Sequence, residues 1–244
     1  MGNRVDFFIP FCYNRFEKGG AVMNEISVQN IRCLIRNPKD FDPEKRYPVL
    51  LFLHGAGTRG NDINKLRNNP FIQVTDAHPN FPFVTIAPLC EKNTWFDMWE
   101  SLRSLVNDIT ELPFADRDRI YVMGASMGGY ATWQLAMSMP ECFAAIVPIC
   151  GGGMYWNAQR LINVPVWAFH GAKDTIVFLE ESVKMVEAVN RYGGQAKLTV
   201  YPENGHDAWS DTYSNPDVFS WFLQHQRKSN NEYFDKYNSS DIYG

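Results

Sequence analysis

The stretch DRIYVMGASMGGYATWQL, residues 118–135, decides the fold of this chain. An apolar run leads into a cluster of small residues around Ser126, and a segment of helical composition follows directly. Residues 124–128, GASMG, have the form G-x-S-x-G, which is typical of a sharp strand-to-helix turn that presents a serine hydroxyl. Small residues on both sides of the serine avoid a steric clash in such a turn. The stretch therefore predicts a strand, an exposed Ser126 and a helix.

The same alternation of short apolar runs and helical segments extends through the chain and predicts an α/β fold. Central strands are predicted at residues 47–55, 83–88, 119–124, 144–150, 164–171 and 196–202, and a pair of edge strands within 23–38. Helices are predicted at residues 61–74, 98–112, 127–139, 176–192 and 216–226. The apolar runs lack polar alternation, as expected for strands that helices cover on both faces. We expect a mostly parallel, eight-stranded sheet without a large lid domain.

The composition favours one domain that binds a small molecule. The 244 residues show no internal repeat, so residues 1–227 are predicted to form a single domain and the polar residues 228–244 a tail. A net charge of −4 with interspersed signs argues against a nucleic-acid surface or a basic membrane patch. Whether the tail docks on the domain or on a partner stays open, as does the oligomeric state.

The cysteines and the N-terminal residues predict a cytoplasmic location. The five cysteines are odd in number and dispersed, without the spacing of a zinc site, which is typical of free thiols in a reducing compartment. The first twenty residues carry charges throughout and lack the apolar core of a signal peptide. No apolar run reaches the ~18 residues that a membrane span requires.

A serine hydroxyl needs a base, and the base needs a carboxylate to orient it. Among the five histidines, His206 lies in a glycine-containing loop after the last predicted strand, and it is the predicted base. Asp174 follows the strand at 164–171 and is the predicted acid, because such groups assemble at the carboxyl ends of parallel strands.

Three other aspartates are alternatives for the acid, although any single aspartate is more often a capping or solvated residue. Asp207 adjoins His206 in sequence, which rarely permits the required geometry. Asp97 precedes the serine, and Asp211 follows the histidine near the last helix.

The segment after the first central strand predicts a site for an oxyanion. The backbone N–H of Ala56, with Gly57 as the less favoured choice, is expected to join the N–H of Met127 in stabilising negative charge. Residues 55–60 also match G-x-G-x-x-G, the signature of a dinucleotide site. That alternative needs an acidic residue at the end of the next strand, but residues 88–90 are Pro-Leu-Cys.

Three tryptophans and one arginine are candidates for substrate contacts. Trp95, Trp156 and Trp209 flank the predicted site loops and are expected to shape an acyl or aromatic pocket, with core packing as an equally favoured alternative. Gly57 and Arg59 follow the oxyanion segment, where Arg59 is placed to meet a polar group of the substrate unless it is simply solvated.

Taken together, GASMGGY, LHGAG, HGAKD and NGH resemble the α/β-hydrolase superfamily. Within it, the chain is similar to compact esterases grouped with dienelactone hydrolases, phospholipase/carboxylesterase-type enzymes and prolyl-oligopeptidase-like catalytic domains, over residues 47–226. The resemblance implies Ser126 as nucleophile, His206 as base, Asp174 as acid, Ala56 and Met127 as oxyanion donors, and no cofactor or metal.

The resemblance further implies a serine carboxylic-ester hydrolase that forms an acyl-enzyme with a small or carbohydrate-linked ester, acetyl or feruloyl. A serine peptidase or aminoacyl hydrolase with the same three residues is the alternative, and a non-catalytic binding protein a more distant one. Dienelactone hydrolases proper use a cysteine nucleophile, whereas Ser126 stands here. The peptidases carry a propeller domain, for which this chain has no room, and residues 151–163 suffice only for a small wall.

Overall fold

The computed structural model describes residues 24–28, 30–78 and 80–227, which contain one eight-stranded sheet. Its strands are β1 Asn24–Val28, β2 Ile31–Arg36, β3 Tyr47–Leu53, β4 Val84–Pro88, β5 Ala115–Ala125, β6 Ala145–Ile149, β7 Val166–Gly171 and β8 Ala196–Tyr201. They follow the order β1-β2-β4-β3-β5-β6-β7-β8. β1 pairs with β2 and β2 with β4 in antiparallel fashion, and the remaining pairs are parallel. The predicted mostly parallel, eight-stranded α/β fold is confirmed.

Seven α-helices connect and cover these strands in the described part of the chain. They are α1 Ile63–Arg67, α2 Pro70–Ala77, α3 Trp99–Glu111, α4 Met127–Ser138, α5 Glu180–Arg191, α6 Trp209–Ser214 and α7 Pro216–Leu223. Short 3-10 turns lie at Ala56–Thr58, Trp95–Met98, Pro140–Cys142 and Tyr155–Leu161.

The helix predicted at 61–74 is two helices, because a new helix starts at Pro70. The side chain of Asn69 accepts the N–H of Phe71 at 3.0 Å and so caps α2, whose first position holds Pro70. Proline suits that position because its missing N–H has no partner there in any helix.

Two further boundaries differ from the sequence prediction. The helix predicted from residue 176 begins at Glu180, because the N–H groups of Ile176 and Val177 donate to Asp174 instead of to a helix. The helix α6 was not predicted at all.

The prediction that residues 196–202 form a central strand is wrong, because this strand lies at an edge of the described sheet. Among the described residues β8 pairs with β7 alone, and its residues are half-buried or exposed. Helices therefore do not enclose β8 as they enclose the fully buried β4 and β6.

Two apolar clusters cover the two faces of the sheet, and β3 contributes to both. Val49, Leu51 and Leu53 pack with α3, α4 and α5, whereas Leu50 and Phe52 pack with α1, α2, α6 and α7. The second face is rich in aromatic residues: the rings of Phe52 and Phe71 stack with centroids 3.9 Å apart. Both clusters hold the carboxyl ends of β3 and β5 to β8 at one edge of the sheet.

Four cysteines, Cys33, Cys90, Cys142 and Cys150, are buried free thiols. Among the described residues, none of the helices has the length and apolar character needed to cross a membrane. The cytoplasmic location stays a prediction. Cys12 and the tail predicted at 228–244 lie outside the described residues.

Candidate active site

Ser126 occupies a strained turn between β5 and α4. Its φ of 56° and ψ of −118° lie in a region that serine rarely adopts. Packing enforces this conformation: a Cβ on Gly128 would lie 1.8 Å from the Leu53 carbonyl oxygen, and one on Gly124 would lie 2.4 Å from the Gly128 oxygen. Glycine at both positions therefore lets α4 approach the sheet and leaves the Ser126 side chain at its carboxyl edge.

The loop after β8 brings His206 to Ser126. This loop packs directly on the end of β7, where a Cβ on Gly171 would lie 2.0 Å from the Gly205 carbonyl oxygen. The N–H of Lys173 also donates to the Asn204 carbonyl at 2.9 Å. The Nε2 atom of His206 lies 2.8 Å from Ser126 Oγ, and its Nδ1 atom lies 2.7 Å from Asp174 Oδ2.

Asp174 is held in a fixed orientation behind His206. Its Oδ1 atom accepts the N–H groups of Ile176 and Val177, both at 2.9 Å, which leaves Oδ2 for His206. Burial favours the neutral acid, but the hydrogen bonds from His206 and from the two backbone N–H groups outweigh it and lower the pKa of Asp174.

The protonation pattern of the three side chains follows from these contacts. An ionised carboxylate only accepts hydrogen bonds, so Nδ1 of His206 carries the proton that faces Asp174. The neutral ring then leaves a lone pair on Nε2, which faces the hydroxyl of Ser126. This arrangement can remove a proton from Ser126 and return it to a leaving group.

The loop after β3 adjoins the serine turn. A Cβ on Gly55 would lie 3.2 Å from the Ala125 oxygen and 3.6 Å from Ser126 Cβ. Ala56 is the first residue of a 3-10 turn and Met127 the first of α4. The N–H group at such a position has no partner within its helix, so both are free to face an oxyanion.

His54 braces this loop, a role that sequence reasoning missed. Its Nδ1 atom donates to the Gly55 carbonyl at 2.8 Å, and its Nε2 atom accepts the Cys90 N–H at 2.9 Å. Burial lowers its pKa to about 4, against a smaller opposing effect of the hydrogen bond to Gly55. The signal in the sequence was a histidine that directly follows an apolar strand and precedes a glycine.

A cavity of about 440 Å³ opens beside Ser126 and His206. It is lined by residues 55–58 of the loop after β3, which include Gly57. Asn69, Pro70, Ile176, Trp209 and Tyr213 also line it. The Trp209 ring meets the His206 ring edge-on, with centroids 5.2 Å apart. Of these residues, sequence reasoning named Gly57 and Trp209 and missed the others, because α2 and α6 approach the site only in the folded chain.

The prediction that Trp95 lines a substrate pocket is wrong. Its side chain is fully buried, its Nε1 atom donates to the His54 carbonyl at 3.0 Å, and its ring packs on His54. Trp156 is 63% exposed and does not line the cavity. Arg59 donates to the Asn93 carbonyl at 3.0 Å and so connects the loop after β3 with the loop after β4.

The alternative aspartates have other partners. Asp97 accepts the N–H of Thr94 and caps the turn that contains Trp95. Asp211 accepts the side-chain amide of Asn204. His206 pairs with Asp174 rather than with Asp207.

A second cluster of ligand-type atoms lies behind Asp174. One donor atom each of Cys150, His170 and Asp174 lies within 4.8 Å of the others. These atoms already have protein partners: His170 contacts Ser182 Oγ and the Val177 carbonyl, and Asp174 contacts His206. Burial raises the pKa of Cys150 to about 12, so its thiol is protonated and does not suit a metal.

Comparison with known proteins agrees with this geometry. The model of the dienelactone hydrolase family matches residues 86–232, more than half of the chain. The chain belongs to this family. Its fold is of the α/β-hydrolase type, although a serine stands at the turn where dienelactone hydrolases proper carry cysteine.

Individual relatives include both esterases and peptidases. The crystal structure of a thermostable esterase is 30% identical, with a TM-score of 0.69 over 84% of this chain and 63% of that one. A putative dienelactone hydrolase of Klebsiella pneumoniae shares the fold at 17% identity and a TM-score of 0.61, over 83% of this chain and 95% of that one. A putative dipeptidyl aminopeptidase of Schizosaccharomyces pombe is 26% identical over 62% of this chain and 21% of its own length. The chain thus spans about a fifth to a third of the first curated peptidase relatives.

Proposed function

We propose that this chain is a serine carboxylic-ester hydrolase that works through an acyl-enzyme. The observation that carries the proposal is the hydrogen-bonded series Ser126, His206 and Asp174, with contacts of 2.8 and 2.7 Å. The series opens on a largely apolar cavity, which suits the organic part of a small ester.

In the proposed reaction, His206 Nε2 takes the hydroxyl proton as Ser126 Oγ attacks the ester carbonyl. The N–H groups of Ala56 and Met127 stabilise the negative oxygen of the tetrahedral intermediate. His206 then protonates the leaving alcohol and afterwards activates a water that hydrolyses the acyl-enzyme. Asp174 keeps the His206 ring oriented and stabilises its positive charge. No cofactor or metal takes part in these steps.

The test is the hydrolysis of p-nitrophenyl acetate and butyrate by the wild type and by Ser126→Ala. We expect kcat to fall by at least ~10⁴-fold in the variant, because the nucleophile is lost. Ser210→Ala, in the exposed first turn of α6, is the matched control and is expected to keep wild-type turnover. Equal rates in wild type and Ser126→Ala, or failure of a fluorophosphonate probe to label Ser126, contradict the proposal.

The alternative is peptide hydrolysis, which the dipeptidyl peptidase relatives favour. The same three side chains can cleave an amide, because His206 is placed to protonate a leaving amine as well as an alcohol. Aminoacyl and dipeptidyl p-nitroanilides, assayed beside the matching p-nitrophenyl esters, separate the two. A higher kcat/KM on the anilides would identify a peptidase.

We propose that the substrate is a small or carbohydrate-linked ester whose acyl group is acetyl or feruloyl. Trp209 is the one predicted tryptophan that lines the cavity, so support for an aromatic acyl group rests on that ring. Methyl ferulate and methyl acetate test this point: a higher kcat/KM for methyl acetate would remove the aromatic substrate.

A further inference from the structure

Tyr213 places a buried phenol in the wall of the active-site cavity. The residue belongs to α6, is 2% exposed, and packs edge-on against Phe52 and Phe71 at 5.8 and 5.3 Å. It lines the same cavity as Ser126 and His206. Beside Trp209, the α6 part of this wall thus includes a tyrosine.

Among the residues that the structure describes, the Tyr213 hydroxyl forms no hydrogen bond, and it is not one of the fully buried side-chain atoms that lack a partner. The hydroxyl therefore keeps contact with open space. Tyr121, a buried tyrosine on the same face of the sheet, differs in this respect, because its hydroxyl donates to the His225 carbonyl at 2.8 Å. The Tyr213 hydroxyl is thus left for an acceptor that enters the cavity.

The hydroxyl is available as a hydrogen-bond donor. Burial, with a smaller contribution from Cys150, raises the pKa of Tyr213 far above its ordinary value. The phenol therefore stays protonated at neutral pH, and it offers an O–H group to an acceptor in the cavity.

We propose that the Tyr213 hydroxyl donates a hydrogen bond to an ether, hydroxyl or carbonyl oxygen on the substrate group that fills this cavity. The site then selects esters with an additional oxygen over plain alkyl esters of the same shape. A site built to hydrogen-bond a substrate discriminates against the analogue that lacks the group, since the buried donor is left unpaired. This inference rests on the proposed ester hydrolysis.

The experiment uses pairs of esters that differ by one oxygen at equal size. In the acyl arm, p-nitrophenyl methoxyacetate is compared with the butyrate, and 3-methoxypropionate with the pentanoate. In the alcohol arm, 2-methoxyethyl acetate is compared with n-butyl acetate. The kcat/KM ratio of each pair is measured for wild type and Tyr213→Phe, so that differences in intrinsic reactivity cancel between the two proteins.

We expect the ratio in at least one arm to fall about tenfold in Tyr213→Phe, the loss of one neutral hydrogen bond. The responding arm identifies which half of the ester enters the cavity. Tyr121→Phe is the matched control: it loses the bond to the His225 carbonyl, so its melting temperature is expected to fall while the ratios stay unchanged.

Two results would overturn the inference. Unchanged ratios in both arms would mean that the hydroxyl meets no substrate oxygen. A melting temperature of Tyr213→Phe several degrees below the wild type would mean that the hydroxyl stabilises the folded protein instead. Neither result affects the proposed function, which fails only if none of the esters is hydrolysed by Ser126.

Discussion

Three histidines lie at or beyond the carboxyl ends of three strands of one sheet, yet two are buried and one lies at the cavity. His54 comes directly after β3 and His170 is in β7, and neither side chain is exposed to solvent. His206, in the loop after β8, keeps 20% of its side chain exposed. All three rings lie close to the carboxyl edge where Ser126 is placed.

The difference lies in what the ring nitrogens face. Both nitrogens of His54 contact backbone groups, and those of His170 contact Ser182 Oγ and the Val177 carbonyl, with Asp174 Oδ2 at 3.3 Å from His170 Nε2. His206 also contacts Asp174, but its second nitrogen faces a hydroxyl that can give up a proton. We propose His206 as the base because its lone pair is directed at Ser126, whereas the two buried rings stabilise the loops behind it.

The largest expected effect is the loss of kcat when His206 is replaced, compared with replacement of the half-buried His225. His206→Ala should lower kcat for p-nitrophenyl acetate by ~10⁴-fold or more, because no base then accepts the Ser126 proton. The unfolding free energy should fall by about 1–3 kcal/mol, because the buried carboxylate of Asp174 loses a hydrogen bond. His225→Ala, whose ring lies at the end of α7 and contacts the Trp221 carbonyl, serves as the control and should keep wild-type kcat. If kcat of His206→Ala lies within tenfold of the wild-type value, His206 is not the base and does not differ in function from the two buried histidines.

The next effect concerns His54 and pH. The unfolded chain protonates this ring below pH 6.5, whereas the folded protein keeps it neutral down to about pH 4. Its contribution to stability is therefore complete above pH 6.5 and is lost as the pH falls toward 4, by up to about 3 kcal/mol. Urea unfolding of wild type and His54→Gln between pH 7.5 and 4.5 measures it. Parallel pH profiles for the two proteins would show that His54 is not held neutral by the fold.

His170→Phe should weaken the fold more than it weakens the chemistry. Removal of the ring leaves the Val177 carbonyl and the Ser182 hydroxyl without this partner, which is expected to cost about 1–3 kcal/mol of unfolding free energy. Denaturant unfolding and kcat measured on the same preparation separate the two effects. A loss of kcat as large as that of His206→Ala, with stability unchanged, would place His170 among the reacting groups.

The smallest effect on stability and on kcat is expected for Ser182, which contacts His170. Ser182 Oγ donates to the Gly151 carbonyl at 2.9 Å, and Ser182→Ala should cost about 1 kcal/mol of unfolding free energy, with kcat changed less than threefold. His170 lies between Ser182 and Asp174. If Ser182→Ala instead lowers kcat more than His170→Phe does, His170 is not the residue through which Ser182 affects the position of Asp174. Matched unfolding curves and progress curves of the two variants decide this.

Much of the fold and of the site was readable from local patterns. The apolar runs located all eight strands, and the glycines around Ser126 predicted a strained turn that the structure contains. Asp174 and His206 could be singled out because each follows a strand, and parallel strands end at one edge of the sheet. These inferences depend on short segments whose conformation is set by their own residues.

The errors have a different origin, since each depends on contacts between distant segments. The sequence left a pocket and the core as equally favoured places for Trp95, and the structure shows that it lies in the core and hydrogen-bonds to the His54 carbonyl. β8 was taken for a central strand because its position in the sheet order is not encoded in its composition. Asn69 and Tyr213 were not named because α2 and α6 meet only when both pack on the same face of the sheet.

By itself, the sequence determined the order of strands and helices along the chain, the serine turn and the identity of its most suitable acid and base. Only the tertiary structure decided which aromatic rings line the cavity and which two imidazoles are buried behind it. The physical reason is that backbone preference and apolar pattern act over a few residues. Burial and hydrogen-bond partnership depend instead on segments that are distant in the sequence, such as those of Ser126 and His206, which lie 80 residues apart.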